Sequence, residues 1–214
     1  MKEEELKSLL DKSFSHLLKS LDKNNNSRFT IPLNEDGKPR ISEHEMKLSF
    51  IETFLKCSEF KGYMYSVETP TQNVYRFTEK GKRQKPKCIC EQNEKGRRGN
   101  IDVVVFVGEE RVALIEFKAN HAGSFEHAKD VCKLENEPGE NVLRFLVEIF
   151  ESTDDTSLKE LEKKLYCNEY IDVFSKTIFV GYSLHHNTTG QYEKFVGDNS
   201  EKKVLIGKFA SCEK

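Results

Sequence analysis

Leucine and phenylalanine side chains recur every three or four residues over the first 22 positions, with Lys and Glu between them. This spacing predicts an amphipathic helix over residues 1–22, which a run of three asparagines at 24–26 ends. A short strand over Phe29–Leu33 and a turn at residues 36–37 are expected next. We expect the apolar side of the helix to pack on the main domain, and a dimerisation arm is the alternative.

The next predicted helix begins with a capping box. Ser42 is followed three residues later by Glu45, an arrangement in which each side chain bonds the backbone amide of the other residue. The helix is expected to continue through Leu55 and to end within residues 59–62. The strands predicted after it are Tyr63–Glu68 and Val74–Phe77. Residues 80–98 are polar without a usable period and are predicted to form a loop.

A β-hairpin is predicted after this loop, because two β-branched runs flank a turn at residues 108–110. Its strands cover Ile101–Val107 and Arg111–Phe117. The remaining predicted elements are helices over Glu126–Leu134, Asn141–Glu151 and Ser157–Tyr166 and strands over Thr177–Leu184 and Val204–Phe209. This order of elements predicts a domain of mixed α/β or α+β class.

The composition narrows the class of protein. The 214 residues include 15 Phe and 7 Tyr, which supply enough apolar surface for a core. The longest apolar run, Val103–Val107, is far shorter than the roughly 20 residues of a membrane helix, and the N-terminus lacks a signal-peptide pattern. A formal charge of −2 argues against a generally basic nucleic-acid binder but allows local basic patches. The six cysteines include no CxxC pair, and we expect them to be reduced thiols of a cytoplasmic protein. Because no apolar run is long enough to span a membrane, no membrane partner is expected.

Charged residues within the predicted hairpin are the strongest candidates for chemistry. Asp102 lies at the start of one apolar strand, and Glu116 and Lys118 lie at the end of the other. Because strand side chains alternate, Glu116 and Lys118 share a face opposite to that of Ile115 and Phe117. Charged side chains in apolar strands are usually paired or bound to a metal. Two carboxylates beside an ammonium suit a hard divalent cation such as Mg²⁺.

On these residues the sequence resembles the PD-(D/E)XK nuclease superfamily, which has the restriction-endonuclease-like fold. Asp102 matches the metal-binding Asp of the family, and residues 116–118 match its E-x-K motif, although Ile101 stands where the family often has Pro. The resemblance covers residues 42–184. It implies an α/β (α+β) core, a mixed β-sheet flanked by helices, in a nuclease-like domain over 42–214. Residues 1–41 would form an N-terminal helix with a short β extension.

The resemblance also implies an activity, the Mg²⁺-dependent hydrolysis of phosphodiester bonds in DNA. An endonuclease of restriction, defence or repair type is favoured, with Mn²⁺ as a substitute metal and no nucleotide cofactor. Asp102, Glu116 and the carbonyl of Phe117 are the implied metal ligands. Lys118 would orient or help to deprotonate the attacking water and offset charge in the transition state.

A further carboxylate is implied on the first core helix, where the family often has a Glu that faces the metal. Glu43 and Glu45 are the candidates. Glu45 is preferred because it shares a helix face with Leu48 and Glu52, and it would reach the metal through water.

The predicted loop over residues 80–98 is basic and leads directly into the strand of Asp102. Cations there would neutralise DNA phosphates near the site, whereas the alternative is a solvated loop. The candidate DNA-binding residues are Lys82, Arg83, Lys85, Lys87, Arg97 and Arg98. The helix predicted after the hairpin adds polar residues that would steady the site or contact DNA, namely His127, Lys129, Asp130 and Lys133.

Other functions stay open alongside the nuclease. A non-catalytic member of the same fold would act as a nucleic-acid or protein binding module, although the presence of Asp102, Glu116 and Lys118 disfavours it. A protein-interaction role for the N-terminal helix is a third hypothesis. A homodimer is also open, because double-strand cleavers of this fold often pair.

Overall fold

The structure, a computed structural model, describes residues 1–21, 31–33, 35, 42–79, 82–89, 95–119, 122–150, 160–161, 163–165, 168–171, 175–186, 192–198 and 203–209. For residues 79, 185–186, 192–198 and 203–209 it describes the backbone alone. The helices are α1 (Glu3–Ser20), α2 (Glu43–Lys56) and α3 (Ser124–Asn136), with a 3₁₀ turn over Ser58–Phe60. The strands are β1 (Met64–Pro70), β2 (Val74–Glu79), β3 (Lys82–Ile89), β4 (Asn100–Val107), β5 (Glu110–Ala119), β6 (Leu143–Phe150), β7 (Thr177–His186), β8 (Tyr192–Asp198) and β9 (Lys203–Phe209).

Seven strands form a mixed sheet in the order β1-β4-β5-β6-β7-β8-β9, and β2 and β3 form a separate two-stranded ribbon. β5, β6 and β7 run parallel to one another, whereas the other neighbours in the sheet are antiparallel. Successive residues of β4 and β5 are buried on opposite faces of the sheet. Val103 and Ile115 pack with α1 and α2, and Val104 and Leu114 pack with α3. The predicted mixed α/β class, a sheet flanked by helices, is therefore confirmed.

The N-terminal helix packs on the main domain, as predicted. Its apolar stripe joins α2 and the sheet in the larger core cluster. The Phe14 ring stacks on Tyr182 of β7 with a centroid distance of 4.6 Å, and the Tyr182 hydroxyl donates a hydrogen bond of 2.7 Å to Asp11. The helix predicted over residues 1–22 thus exists over Glu3–Ser20 and shares its core with the rest of the chain.

The capping box predicted for α2 is present. The Glu45 carboxylate accepts a hydrogen bond of 2.7 Å from the Ser42 backbone amide, and the Ser42 hydroxyl oxygen accepts one of 3.3 Å from the amide of His44. These bonds satisfy amide groups that the first turn of a helix leaves without internal partners.

The predicted helix over residues 141–151 is wrong, because this segment forms strand β6. The residues from Arg144 to Ile149 are all buried, and the strand lies between parallel neighbours on both sides. A strand buried on both faces is a continuous apolar run, and hydrophobic periodicity does not distinguish such a run from a buried helix.

The predicted loop over residues 80–98 is also wrong in part, because Lys82–Ile89 forms β3 and pairs with β2. The many Lys and Arg residues of β3 hide its strand character in the sequence, because strands are usually rich in β-branched and aromatic residues. One side of β3 packs on α3, and its Lys and Arg side chains are exposed. The strand β8 was not predicted. The predicted strand Phe29–Leu33 falls mainly, and the turn at residues 36–37 entirely, outside the described residues.

The remaining predicted elements agree with the structure within a few residues. Both strands of the hairpin, α3, β7 and β9 are present, and part of the helix predicted over 157–166 is seen at residues 160–161 and 163–165. In the parts of the chain that are described, no helix is long and apolar enough to cross a membrane. Free thiols are found at Cys57, Cys88 and Cys132.

Candidate functional site

The three residues of the predicted motif lie together at one end of β4 and β5. Asp102 is the third residue of β4, and Glu116 and Lys118 lie near the end of β5, which runs antiparallel to it. The Asp102 Oδ2 atom accepts a hydrogen bond of 2.8 Å from the backbone amide of Phe117. The carboxylate of one strand therefore lies against the backbone of the motif on the other strand.

A lysine of α2 neutralises Asp102. The Lys47 Nζ atom lies 3.1 Å from Asp102 Oδ1 and 2.6 Å from Glu68 Oε1. Glu68 has a φ of 49°, in the left-handed region, and interrupts the pairing of β1 with β4 opposite Asp102. Burial alone would lower the pKa of Lys47, but the two carboxylates raise it above the ordinary value.

Glu116 is buried against a lysine of α3. The Glu116 side chain is almost wholly inaccessible, and its Oε1 forms an ion pair with Lys133 Nζ. That ammonium also lies 2.8 Å from Asp130 Oδ1 and donates a hydrogen bond of 2.7 Å to the carbonyl of Asn100. Burial raises the pKa of Glu116 well above its ordinary value, Asp130 and Asp102 raise it further, and Lys133 opposes them.

Lys118 is held between carboxylates of two helices. Its Nζ atom lies 2.6 Å from Asp130 Oδ2 and 3.2 Å from Glu43 Oε1, and it donates a hydrogen bond of 3.3 Å to the carbonyl of Phe117. Burial alone would lower the pKa of Lys118, but Asp130 and Glu43 raise it above the ordinary value. Lys118 is therefore an ammonium at neutral pH.

These contacts form a sequence of alternating charges across the end of the sheet. We call it the charge chain, and its members in order are Glu43, Lys118, Asp130, Lys133 and Glu116. Its central carboxylate, Asp130, contacts both ammonium groups. Burial alone would raise the pKa of Asp130, but the charges of Lys133 and Lys118 lower it below the ordinary value.

The structure brings Glu43, and not Glu45, into this cluster. The Glu43 carboxylate contacts Lys118, whereas the Glu45 carboxylate bonds the Ser42 amide at the start of α2. The preference for Glu45 followed the helix face that it shares with Leu48 and Glu52, but Leu48 is exposed. The buried face of α2 contains Met46 and Phe50, three and seven residues after Glu43, so that Glu43 lies on the side of the helix that meets the sheet.

The basic residues proposed to bind DNA lie on the β2–β3 ribbon and on the segment that leads into β4. The side chains of all six are exposed: Lys82, Arg83, Lys85, Lys87, Arg97 and Arg98. The Arg83 guanidinium lies 3.3 Å from Glu126 and 5.0 Å from the ring centroid of Phe125, so that it also joins the ribbon to α3.

His127 of α3 lies beside the charge chain, with a different partner. Its Nε2 atom is 2.8 Å from Glu148 Oε2, and Nδ1 is 3.0 Å from the carbonyl of Gly123. Glu148 stands opposite Lys118 in the register of β6 and β5. Burial alone would lower the pKa of His127, but the hydrogen bond and charge of Glu148 raise it above the ordinary value. Lys129, in contrast, lies over the Phe125 ring.

The sequence indicated the hairpin residues more clearly than their partners. Asp130 and Lys133 are spaced three residues apart on the helix that follows the motif, and this i,i+3 pair was the available signal. Lys47 gave no such signal, because its partner Glu68 is brought there by an irregularity in β1.

The donor atoms of this cluster suit a hard cation. Among the described residues, no group of three or more His, Cys, Asp or Glu side chains is arranged to hold a metal ion. Mg²⁺, however, commonly uses one or two protein carboxylates and keeps several waters. The carboxylates of Asp102 and Glu116 and the carbonyl of Phe117 supply oxygen donors of this kind. The Lys133 ammonium lies against Glu116 Oε1 and would compete with an ion bound there.

No protein-family model, curated protein or solved structure matches the chain. The functional assignment therefore rests on the geometry of the charge chain and Asp102, together with the motif that led to them.

Replacing Asp130 by alanine is expected to destabilise the fold strongly. Lys118 and Lys133 would then be buried without their shared carboxylate, and breaking a buried ion pair costs about 3–5 kcal/mol. Urea unfolding at pH 7 should show a fall of this size in the free energy of unfolding. Glu59→Ala, which breaks an exposed pair with Lys12, is the control and should leave the free energy nearly unchanged. Equal effects of the two substitutions would contradict the assignment.

The His127–Glu148 contact is expected to make stability fall as the pH rises above neutrality. Because its folded-state pKa is raised, protonated His127 stabilises the fold fully below the unfolded pKa of about 6.5, and this contribution is lost as the pH rises through the folded pKa. Urea unfolding between pH 6 and 9 should show this fall in the wild type but not in Glu148→Gln. The same fall in both proteins would exclude this contact as its cause.

Proposed function

We propose that the protein is a metal-dependent nuclease of the PD-(D/E)XK type that hydrolyses phosphodiester bonds in DNA. The observation that carries this proposal is the convergence of Asp102, Glu116 and Lys118 at one end of two adjacent strands, with the Asp102 carboxylate bonded to the motif backbone. The resemblance implies a Glu of the preceding helix that faces the metal, and Glu43 of that helix contacts Lys118.

The order of elements supports a restriction-endonuclease-like core. α2 is followed by an antiparallel meander of β1, β4 and β5, and then by α3 and a strand, β6, parallel to β5. The helix, the meander and the helix after the hairpin are the parts that the resemblance covers. The β2–β3 ribbon is then an insertion between the first two strands of the meander.

In the proposed reaction, the carboxylates of Asp102 and Glu116 and the carbonyl of Phe117 would hold Mg²⁺, or Mn²⁺ in its place. The chemistry that the bound ion supplies is charge stabilisation at a phosphoryl oxygen and acidification of water. Lys118 donates hydrogen bonds to the attacking water or to a phosphate oxygen. Its raised pKa favours this role over that of a general base, because the ammonium carries no lone pair that could accept a proton.

The other members of the charge chain act as positioning residues in this proposal. Asp130 and Glu43 fix the Lys118 ammonium from two helices. Lys133 holds the Glu116 carboxylate and the carbonyl of Asn100, two residues before Asp102. Groups held in this way need little reorganisation when charge develops at the phosphate.

One observation favours a second candidate function, that of a non-catalytic nucleic-acid or protein binding module with the same fold. Both carboxylates proposed as metal ligands have ammonium partners, Lys47 at Asp102 and Lys133 at Glu116. A site whose carboxylates are neutralised by lysines would be stable without metal. Metal binding therefore separates the two candidates.

The proposal predicts that Lys118→Ala reduces turnover far more than metal affinity. Removing one donor to developing charge typically costs about 10²–10³-fold in rate. Cleavage of supercoiled plasmid, linear duplex and single-stranded DNA would be measured with Mg²⁺ or Mn²⁺ and with EDTA, and Mn²⁺ affinity by calorimetry. Glu116→Gln should lose both activity and Mn²⁺ binding, and Glu43→Gln should lower turnover more than Glu45→Gln.

Lys61→Ala changes an exposed lysine shortly before β1; it is the matched control and should behave as the wild type. Loss of Mn²⁺ affinity in Lys118→Ala would contradict the assigned role of this lysine. A folded wild-type protein that cleaves no substrate and binds no Mn²⁺ would reject the nuclease and support the binding module.

A further inference from the structure

The β2–β3 ribbon has one apolar side and one basic side. On the apolar side, the rings of Tyr75 and Phe77 are buried and form a cluster with Phe125 of α3. On the sequence, residues 74–98 contain nine Lys and Arg against three Glu, a net charge of 9 − 3 = +6 in a chain whose formal charge is −2. The ribbon and the segment after it are therefore the basic region of an acidic protein.

The base of the ribbon is fixed by a buried carboxylate. Glu137, directly after α3, accepts hydrogen bonds from the backbone amides of Gln72 (2.8 Å) and Asn73 (3.1 Å) and from the Tyr75 hydroxyl (2.9 Å). Its other contact is with Arg111 of β5, at 2.8 Å. The direction of the ribbon is thus set by the helix that carries Asp130 and Lys133.

The segment after the ribbon connects it to the candidate site. The backbones of Tyr75 and Arg97 exchange two hydrogen bonds of 2.8 and 2.9 Å, and those of Thr71 and Gly99 are joined by one of 2.9 Å. Asp102 follows Gly99 by three residues. The base of the ribbon is therefore joined to the segment that leads into the strand of Asp102.

The form of the ribbon favours duplex DNA over other nucleic acids. The major groove of B-DNA admits a two-stranded β-ribbon, whereas that of A-form RNA is deep and narrow. Single strands are usually bound by stacking on aromatic rings. The aromatic rings of the ribbon are buried, and none of the Phe and Tyr side chains that the structure describes is exposed. The surface of the ribbon therefore has cations that can contact phosphates, but no exposed aromatic rings on which unpaired bases could stack.

We propose that the β2–β3 ribbon enters the major groove of B-form duplex DNA, with Lys85 and Lys87 on phosphates, and thereby delivers one strand to the candidate site. This inference rests on the proposed nuclease function and names its substrate as duplex DNA. Lys85 and Lys87 are exposed and lie on the same side of β3, because strand side chains alternate.

Fluorescence anisotropy in EDTA, where no cleavage occurs, tests the proposal. The probes are a labelled DNA duplex, its single strand and an RNA duplex of the same sequence, each titrated at several salt concentrations. The DNA duplex should bind at least about tenfold more tightly than either competitor. In Lys85→Ala/Lys87→Ala, the slope of log K against log salt should become less steep by about 1.8, because each lost phosphate contact contributes about 0.9.

Lys12→Ala/Lys61→Ala removes the same charge from exposed positions away from the ribbon and should leave the slope unchanged. Equal affinity for single-stranded and duplex DNA, or an unchanged slope in the ribbon variant, would overturn the inference. The proposed nuclease function fails separately, if the wild type binds duplex DNA through the ribbon but does not cleave it with Mg²⁺ or Mn²⁺.

Discussion

The structure depends on the neutralisation of two charges that lie inside an apolar strand. Glu116 and Lys118 occupy alternate positions of β5, between residues that are fully buried, and an unpaired charge at such a position costs several kcal/mol. α3 supplies the opposite charges through Asp130 and Lys133, while its Val131 packs on the same face of the sheet. The helix therefore docks in one position along the strand, because a shift would leave charges without partners.

The same helix organises the surroundings of the site. Beyond the charge chain, it carries Phe125 under the ribbon and ends next to Glu137, which fixes the base of the ribbon. Its Glu135 carboxylate accepts hydrogen bonds from the backbone amides of residues 175–177, where β7 begins. Groups from distant parts of the chain are thus positioned by one rigid element, which is the arrangement that a preorganised site requires.

The sequence predicted the parts of the fold whose signals are local. The capping box at Ser42 joins residues three apart in the chain, and the hairpin of β4 and β5 joins two β-branched runs across one short turn. β6 was predicted as a helix, because burial between two parallel strands removes the alternation. β3 was predicted as a loop because its basic composition is not typical of a strand. Its pairing with β2 and its contact with α3 leave no sign in that composition.

In the candidate site, too, local signals were predictable and features set by packing were not. Asp102, Glu116 and Lys118 were predictable because charges are rare in apolar strands. The choice of Glu43 over Glu45 depends on how α2 meets the end of the sheet, and the contact of Lys47 with Glu68 depends on an irregular position in β1. These features arise from the packing of separate elements, and a pattern along the chain does not contain them.

The most direct test of this account is the position of Mn²⁺ in crystals of the protein, measured by anomalous scattering. A peak is expected about 2.1 Å from carboxylate oxygens of both Asp102 and Glu116, with the Lys133 ammonium moved off Glu116. At saturating Mn²⁺, a structure in which Lys133 still contacts Glu116 and no peak lies beside Asp102 would contradict it.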